Sequence, residues 1–342
     1  MYRLLIILII TFPAAVSCEK ILIGKDGDNT PVNNFELMWE VIDRNYSFFE
    51  YKNINWDSLY HEYRPKIQNG MSDSELFGVL SSMLFELRDG HVNLYSGFDR
   101  SRNVEWYSLY PANYSPDLIE NNYLRNGIET KGPFLTAILD SIGYVYIGSF
   151  SESINDKDID EVIEKFQGLK GIVFDVRNNS GGYGSSGEII TGRFADRKRL
   201  VSYTVYKSGP GHSDFTPPQP NYVVPLGKSQ FTRNVVVLTN RRVYSATNDF
   251  VLYMSVFPHI TIMGDKTGGG GGTPYDYELY NGWRFRIPKT MTLAPNGFNV
   301  EHGIPPDINV SLSGRDERDG IDTILEAALR HIEKMSEQKY AN

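Results

Sequence analysis

Ser245 stands where a buried strand gives way to a helix. The run Val235-Val236-Val237-Leu238-Thr239-Asn240 reads as a strand, Arg241 to Tyr244 as the turn out of it, and Phe250 to Phe257 as apolar helix. Backbone N–H groups and the positive helix end at such a junction can stabilise a developing oxyanion, which makes the position suitable for a nucleophile. It suits an N-cap equally well, with the hydroxyl merely closing the first turn. The segment alone leaves both readings open. A serine hydroxyl is a poor nucleophile at neutral pH and needs a base to take its proton. The six histidines of the chain are the natural candidates, since imidazole titrates near neutrality and can both accept and return a proton.

The surrounding elements follow from periodicity. Residues 1–17 read as a secretion signal, with Arg3 before an apolar stretch too short to span a bilayer and small residues before Cys18. Residues 18–34 are polar and Gly/Asp/Asn-rich and read as a tether. Residues 35–96 carry helical spacing, in Phe35, Met38, Trp39 and Ile42 and again in Leu76, Leu80, Met83 and Leu87. Ser72 with Glu75 forms a capping-box pattern for the last of these helices. Residues 97–142 are irregular and aromatic-rich and read as a linker region, with short strands expected within Tyr95 to Leu139. From 143 to 342 strands and helices alternate, which predicts an α/β core. Strands are expected at Tyr144–Ile147, Gly171–Val176, Leu200–Lys207, Val235–Leu238 and Ile260–Met263, and Asn281-Gly282 marks a hairpin. Ser208 to Leu226, rich in proline and glycine, is expected to be a loop over the site.

Four segments stand out for chemistry. They are Leu87-Arg88-Asp89-Gly90-His91-Val92-Asn93-Leu94, Phe174-Asp175-Val176-Arg177-Asn178-Asn179-Ser180-Gly181-Gly182, the Ser245 segment, and a fourth in two pieces. Those pieces are Gly264-Asp265-Lys266-Thr267 running into Gly268 to Gly272, and Val300-Glu301-His302-Gly303-Ile304-Pro305-Pro306-Asp307-Ile308. Together and in this order the chain resembles the tail-specific (C-terminal processing) serine peptidases and the tricorn core protease, over roughly Phe35 to Val310. The resemblance implies a crotonase-like spiral of ββα units with an N-terminal helical subdomain. It also implies a peptidase acting through an acyl-enzyme. Tail-specific proteases use a lysine after a Thr-x-Gly step, and the matching position here is Gly270, with Lys266 four residues too early. The tricorn-like branch uses a histidine and a glutamate, matched by His91 and Glu301. The implied triad is therefore Ser245, His91 and Glu301, with oxyanion donors from the backbone of Gly181, Gly182 and Ala246. Tricorn has a serine just before its histidine; this chain has Gly90.

Each of these residues has a plainer reading. Asp-Gly-His is also a turn with a surface histidine, Glu301 also a surface carboxylate, and the glycine run also a flexible loop. His302 is a rival base, ranked lower because neighbours on an extended segment face opposite ways. His61, His212, His259 and His331 lack a partner pattern, and Asp175 and Arg177 read as structural. The rival function is a silent peptidase-fold module binding peptides or apolar ligands.

The chain has 342 residues, a net charge of −8 and one cysteine. That balance argues against nucleic acid as a partner, and a lone cysteine forms no internal disulfide. Cys18 resembles the lipid-attachment cysteine of a bacterial lipoprotein, implying an exported protein of the periplasm or envelope, held to a membrane by lipid. No metal-ligand spacing, phosphate loop or dinucleotide fingerprint appears, so no cofactor is expected. His91 and the first core strand at Gly143 are only 52 positions apart, too few for a substrate-holding PDZ domain of roughly 80–100 residues. Substrate choice is then expected to fall to Trp106–Tyr123 and to the Ser208–Leu226 loop.

Overall fold

The computed structural model describes residues 27–125 and 127–341, so the expected leader and Cys18 lie outside the described residues. The first part is helical. Thr30 caps a helix over Pro31–Asn45, with proline in the first turn where no N–H is needed. Short helices follow at Phe49–Lys52 and Trp56–Tyr63, the latter capped by Asn55. The capping box of Ser72 and Glu75 opens the helix Asp73–Phe85. The stripes of these helices meet in one apolar cluster containing Phe35, Met38, Ile42, Trp56, Leu80 and Met83.

The strands, in chain order, are β1 (Asn93–Tyr95), β2 (Glu129–Lys131), β3 (Phe134–Leu139), β4 (Ile142–Tyr146), β5 (Gly171–Asp175), β6 (Arg199–Tyr206), β7 (Gln219–Val223), β8 (Asn234–Thr239), β9 (Ile260–Gly264), β10 (Pro274–Glu278), β11 (Arg284–Pro288), β12 (Thr290–Leu293) and β13 (Ile308–Asn309). A seven-stranded sheet runs β13-β9-β8-β5-β4-β3-β2, parallel from β13 to β4 and antiparallel beyond. Its central strands are continuous apolar runs because both faces are covered. Side chains alternate accordingly. Ile172, Phe174, Val235 and Val237 enter one cluster, with the helices Asp156–Phe166 and Ala246–Ser255. Val173, Val236 and Leu238 enter the other, against the helix Thr323–Ala341. Two small antiparallel sheets, β1-β11-β10 and β12-β6-β7, flank this layer.

The expected α/β core and N-terminal helical subdomain are both present, and the boundary between them differs from the sequence reading. β2 and β3 pair onto the central sheet, so the core begins inside the region read as a linker, upstream of residue 143. The hairpin β10–β11 crosses the other way: Leu279, Trp283, Phe285 and Ile287 pack into the helical cluster, and β11 pairs with β1. The two parts are thus tied by a sheet that neither builds alone. The carboxyl ends of the adjacent parallel strands β5 and β8 lie side by side, with Asp175 opposite Leu238. The Gly turn leaves one of these ends and the Ser245 turn leaves the other, the usual place for a site in such sheets.

Candidate active site

Ser245 occupies the N-cap position of the helix Ala246–Ser255, but its hydroxyl makes no capping bond. Its backbone has φ 57° and ψ −130°, a strained conformation for a residue with a Cβ. The strain turns the side chain away from the helix and toward His91, whose Nε2 lies 2.9 Å from Ser245 Oγ. The neighbouring turns hold this corner. Ser245 N–H donates to Gly269 O at 2.9 Å. Asn240 Oδ1 accepts from the N–H groups of Asn178 and Arg242. Of the two readings of Ser245, the cap does not hold: the half-buried hydroxyl closes no helical turn and faces His91 instead.

His91 follows the turn that ends the helix Asp73–Phe85. Asp89 Oδ1 accepts the His91 backbone N–H at 2.8 Å, and Asp89 Oδ2 accepts from Tyr46 Oη and Lys52 Nζ, each at 2.8 Å. The ring lies against Tyr244, which in turn stacks on Trp106 at 4.1 Å between ring centroids. Burial, reinforced by the charges of Arg286 and Lys52 and opposed by Asp89, lowers the His91 pKa to about 4. The ring is therefore neutral at pH 7, the state that can accept a proton. Its Nδ1 is buried and has no hydrogen-bond partner among the described residues.

Glu301 is buried nearby but not on that nitrogen. Its Oε1 pairs with Lys52 Nζ at 2.7 Å and its Oε2 accepts the Gly271 N–H at 2.9 Å. Lys52 thus joins the two carboxylates, Asp89 and Glu301, in one buried cluster. Burial pushes the Glu301 carboxyl up to about 7, with Lys52 opposing and the Asp89 charge adding to the rise. Asp89 stays below the usual carboxylate range despite its burial, held there by Lys52 and His91. Burial works against the Lys52 charge, yet the two carboxylates keep it firmly protonated. Sequence reasoning missed Lys52. It closes a four-residue helix among aromatic side chains, where nothing local distinguishes it from a solvated lysine.

The glycines explain both departures from the resembled families. A Cβ on Gly90 would lie 2.5 Å from Trp106 Nε1, so no serine fits before the histidine. A side chain on Gly270 would enter the Tyr244 ring at 2.5 Å, and φ there is 77°, so no lysine fits either. Ser245 Oγ pairs with His91, Lys266 does not line the cavity over it, and His302 is exposed and stacked on Tyr51. The glycine run is not a flexible loop: Gly269 to Gly272 are buried, with Gly268 N–H on Val243 O and Gly270 N–H on Glu301 O. Thr267 anchors the run, its hydroxyl donating to Asn248 and accepting the Ile304 N–H, which brings the two halves of the fourth motif together.

Of the three expected oxyanion donors, Gly181 is corrected. Its N–H is taken by Asn179 Oδ1 at 3.0 Å, an oxygen that also accepts from Thr247 Oγ1. The N–H groups of Gly182 and Ala246 have no protein acceptor among the described residues. Gly181 serves by lacking a side chain, since a Cβ there would sit 2.9 Å from Ser245 Cβ. Behind the turn, Asp175 and Arg177 are fully buried with Asp322, joined through Arg177 at 2.6 and 2.9 Å.

A cavity of about 460 Å³ opens over Ser245 and His91, with Trp106, Tyr107 and Tyr244 on its wall. The Ser208–Leu226 segment contributes nothing to it, contrary to expectation. It contains β7 and docks on the helical part, where His212 pairs with Asp43 at 2.8 Å and stacks on Phe49. Among the described residues no cluster of His, Cys, Asp and Glu is arranged to hold a metal ion.

Comparisons with known proteins agree with this layout. The model for Peptidase family S41 matches residues 141–310, and that for the Tricorn protease C1 domain matches residues 29–85. A carboxyl-terminal-processing protease of Synechocystis sp. is 28% identical over 170 residues, 49% of this chain and 37% of the relative. The match thus spans little more than a third of that relative's length. The crystal structure of a candidate peptidase from Parabacteroides merdae is 43% identical, with a TM-score of 0.86 over 89% of this chain and 97% of that one. Mature CPAF, at 12% identity and a TM-score of 0.66 over 90% of this chain and 96% of its own, shares the fold. With the Peptidase family S41 model on the core and a candidate peptidase 43% identical over nearly its whole length, the chain belongs to peptidase family S41.

Proposed function

We propose that the chain is an exported serine peptidase that cleaves peptide bonds through an acyl-enzyme, with Ser245 as nucleophile and His91 as general base. The observation that carries the reading is the 2.9 Å approach of Ser245 Oγ to His91 Nε2 at a strained strand–helix corner. Ser245 Oγ attacks the carbonyl carbon while His91 Nε2 takes its proton. The Gly182 and Ala246 N–H groups receive the resulting oxyanion. On collapse the C–N bond breaks and His91 gives the proton to the leaving amine. A water then attacks the acyl-enzyme, losing its proton to His91, and the Ser245–acyl bond breaks as Oγ recovers that proton. Glu301 completes the carboxylate side of the site, acting on His91 from the cluster it forms with Lys52 and Asp89.

Labelling with a fluorophosphonate, read by mass spectrometry, tests the assignment alongside peptide hydrolysis. Labelling at Ser245 that vanishes in Ser245→Ala and His91→Ala is expected, with peptidase activity reduced by roughly 10³-fold or more. Labelling that survives His91→Ala assigns the base elsewhere. No labelling with no hydrolysis points to a binding module. We further propose that Cys18 carries a lipid. Cys18→Ser is then expected to move the chain from the membrane fraction to the soluble one, and an unchanged distribution overturns that part.

A further inference from the structure

The cavity over Ser245 is lined by Arg102, Arg242 and Arg286 and by no aspartate or glutamate. This is unusual in a chain with 42 acidic residues against 34 lysines and arginines. Several arginines elsewhere are matched to carboxylates: Arg241 to Asp265 at 3.1 Å, Arg193 to Asp156 and Asp160, Arg199 to Asp196. The three in the cavity have no such partner among the described residues. Arg286, half-buried on β11, donates through Nε to Asn93 Oδ1 at 3.1 Å, and its terminal nitrogens have no hydrogen-bond partner among the described residues. Arg242 is exposed, with its guanidinium 4.4 Å over the Tyr107 ring, and Arg102 is exposed at the rim. A guanidinium fork held on one edge or stacked on a ring is already ordered for a carboxylate.

The three come from separate elements: the segment after β1, the Ser245 turn, and β11. A single terminal carboxylate needs one fork. Three cations spread round one cavity fit charges distributed along a bound chain. We propose that the site selects acidic peptides, with an aspartate or glutamate side chain beside the scissile bond engaging Arg286 and further acidic residues meeting Arg242 and Arg102. The proposal rests on the peptidase reading for the word scissile, but the anion recognition stands apart from it.

The test uses amidated fluorogenic peptides that differ only by Glu or Gln at each position flanking the cleaved bond, plus one neutral peptide with a free or an amidated C-terminus. A kcat/KM roughly tenfold or more higher for Glu at one position is expected, the size of one charge-assisted hydrogen bond. Arg286→Gln should bring that Glu-to-Gln ratio toward one. A preference for the free terminus alone, with Glu and Gln equal, overturns the proposal in favour of a terminal-carboxylate site. Binding of the same peptides to Ser245→Ala, read by fluorescence anisotropy, separates the two readings. Glu-selective binding without any turnover by the wild-type chain refutes the peptidase and keeps the acidic ligand. Equal binding and equal cleavage of the Glu and Gln peptides refute the acidic ligand and leave the peptidase.

Discussion

Lys52→Met tests the buried cluster behind His91. Methionine keeps the apolar stem among Tyr46 and Phe48, which lie under the ammonium at 5.7 and 5.2 Å, and removes only the charge. Asp89 and Glu301 then face each other with no cation between them. Removing one partner of a buried pair costs roughly 3–5 kcal/mol. The cost should depend on pH in a definite sense. Glu301 titrates at about 7 in the fold, against roughly 4.3 for an ordinary glutamate, so its protonated form is favoured by folding. Its contribution is fully present in acid and is lost as pH rises through 7. At pH 5 it is already protonated, and Lys52→Met removes only the pairing to Asp89. At pH 8 the variant loses both pairings, or must hold Glu301 protonated at about 1.4 kcal/mol per pH unit. Urea unfolding followed by circular dichroism at pH 5 and pH 8 should show a larger loss at pH 8. Adding Glu301→Gln should recover much of the difference. A loss below about 1 kcal/mol at pH 8, or an equal loss at both pH values, would refute the cluster as a coupled unit.

Three further outcomes follow from the site. With His91 at about 4, protonation of the ring should lower kcat/KM only in acid, well below neutrality; a midpoint near 6.5 that persists in Glu301→Gln means that the ring is solvated in the working enzyme. Gly270→Lys should abolish labelling at Ser245 rather than create a lysine base, because the side chain enters the Tyr244 ring; an active Gly270→Lys chain would show that the ring moves aside. Arg177→Met leaves Asp175 and Asp322 buried without their cation, and a loss of roughly 3–5 kcal/mol is expected in the same unfolding assay.

The sequence carried what is local. Continuous apolar runs placed β5 and β8, and the Ser72–Glu75 spacing placed a helix start, because each depends on residues within one turn or one strand. Short strands were expected in this region, but not that β2 and β3 belong to the core: a short, largely exposed strand such as Glu129–Lys131 has no burial period of its own, and only the pairing of β2 on β3 and β3 on β4 places them. The glycine run looked like low complexity. Each of its members answers a different close approach: Gly268 to Arg241 and Trp106, Gly269 to Glu301, Gly270 to Tyr244, Gly271 to Val300, and Gly272 to Phe48 and Pro288. The hydroxyl of Ser245 was ambiguous for a similar reason: cap and nucleophile differ by one backbone angle. Gly181 failed as a donor because a side chain two residues earlier, Asn179, reaches its N–H first.

The third member of the site turns on one atom. His91 Nδ1 is buried without a partner among the described residues, and leaving a buried donor unpaired is costly, on the order of 1–3 kcal/mol. If Nε2 accepts from Ser245, Nδ1 carries the proton, and something must hold that tautomer during turnover. Two arrangements of Glu301 differ on this point. It can leave Lys52 and hold Nδ1–H once substrate is bound, or it can stay on Lys52 and only position His91 through Asp89, which fixes the His91 backbone, leaving Nδ1–H to substrate or solvent. Glu301→Gln distinguishes them. An amide placed on Nδ1 offers the wrong tautomer and costs about 10⁴ in kcat, as in a direct triad. An amide on Lys52 removes one charge from a cluster that keeps Asp89, and a loss of about 10²-fold or less is expected. The ground-state geometry favours the second, with Glu301 as a positioning residue. The pH profile gives an independent reading. A remote Glu301 that titrates at about 7 should add a shallow second limb to kcat, absent in Glu301→Gln, whereas a carboxylate bound to Nδ1 in the complex should leave the neutral range flat. A 10⁴-fold loss with a flat neutral profile would place Glu301 directly on His91 and refute the indirect arrangement.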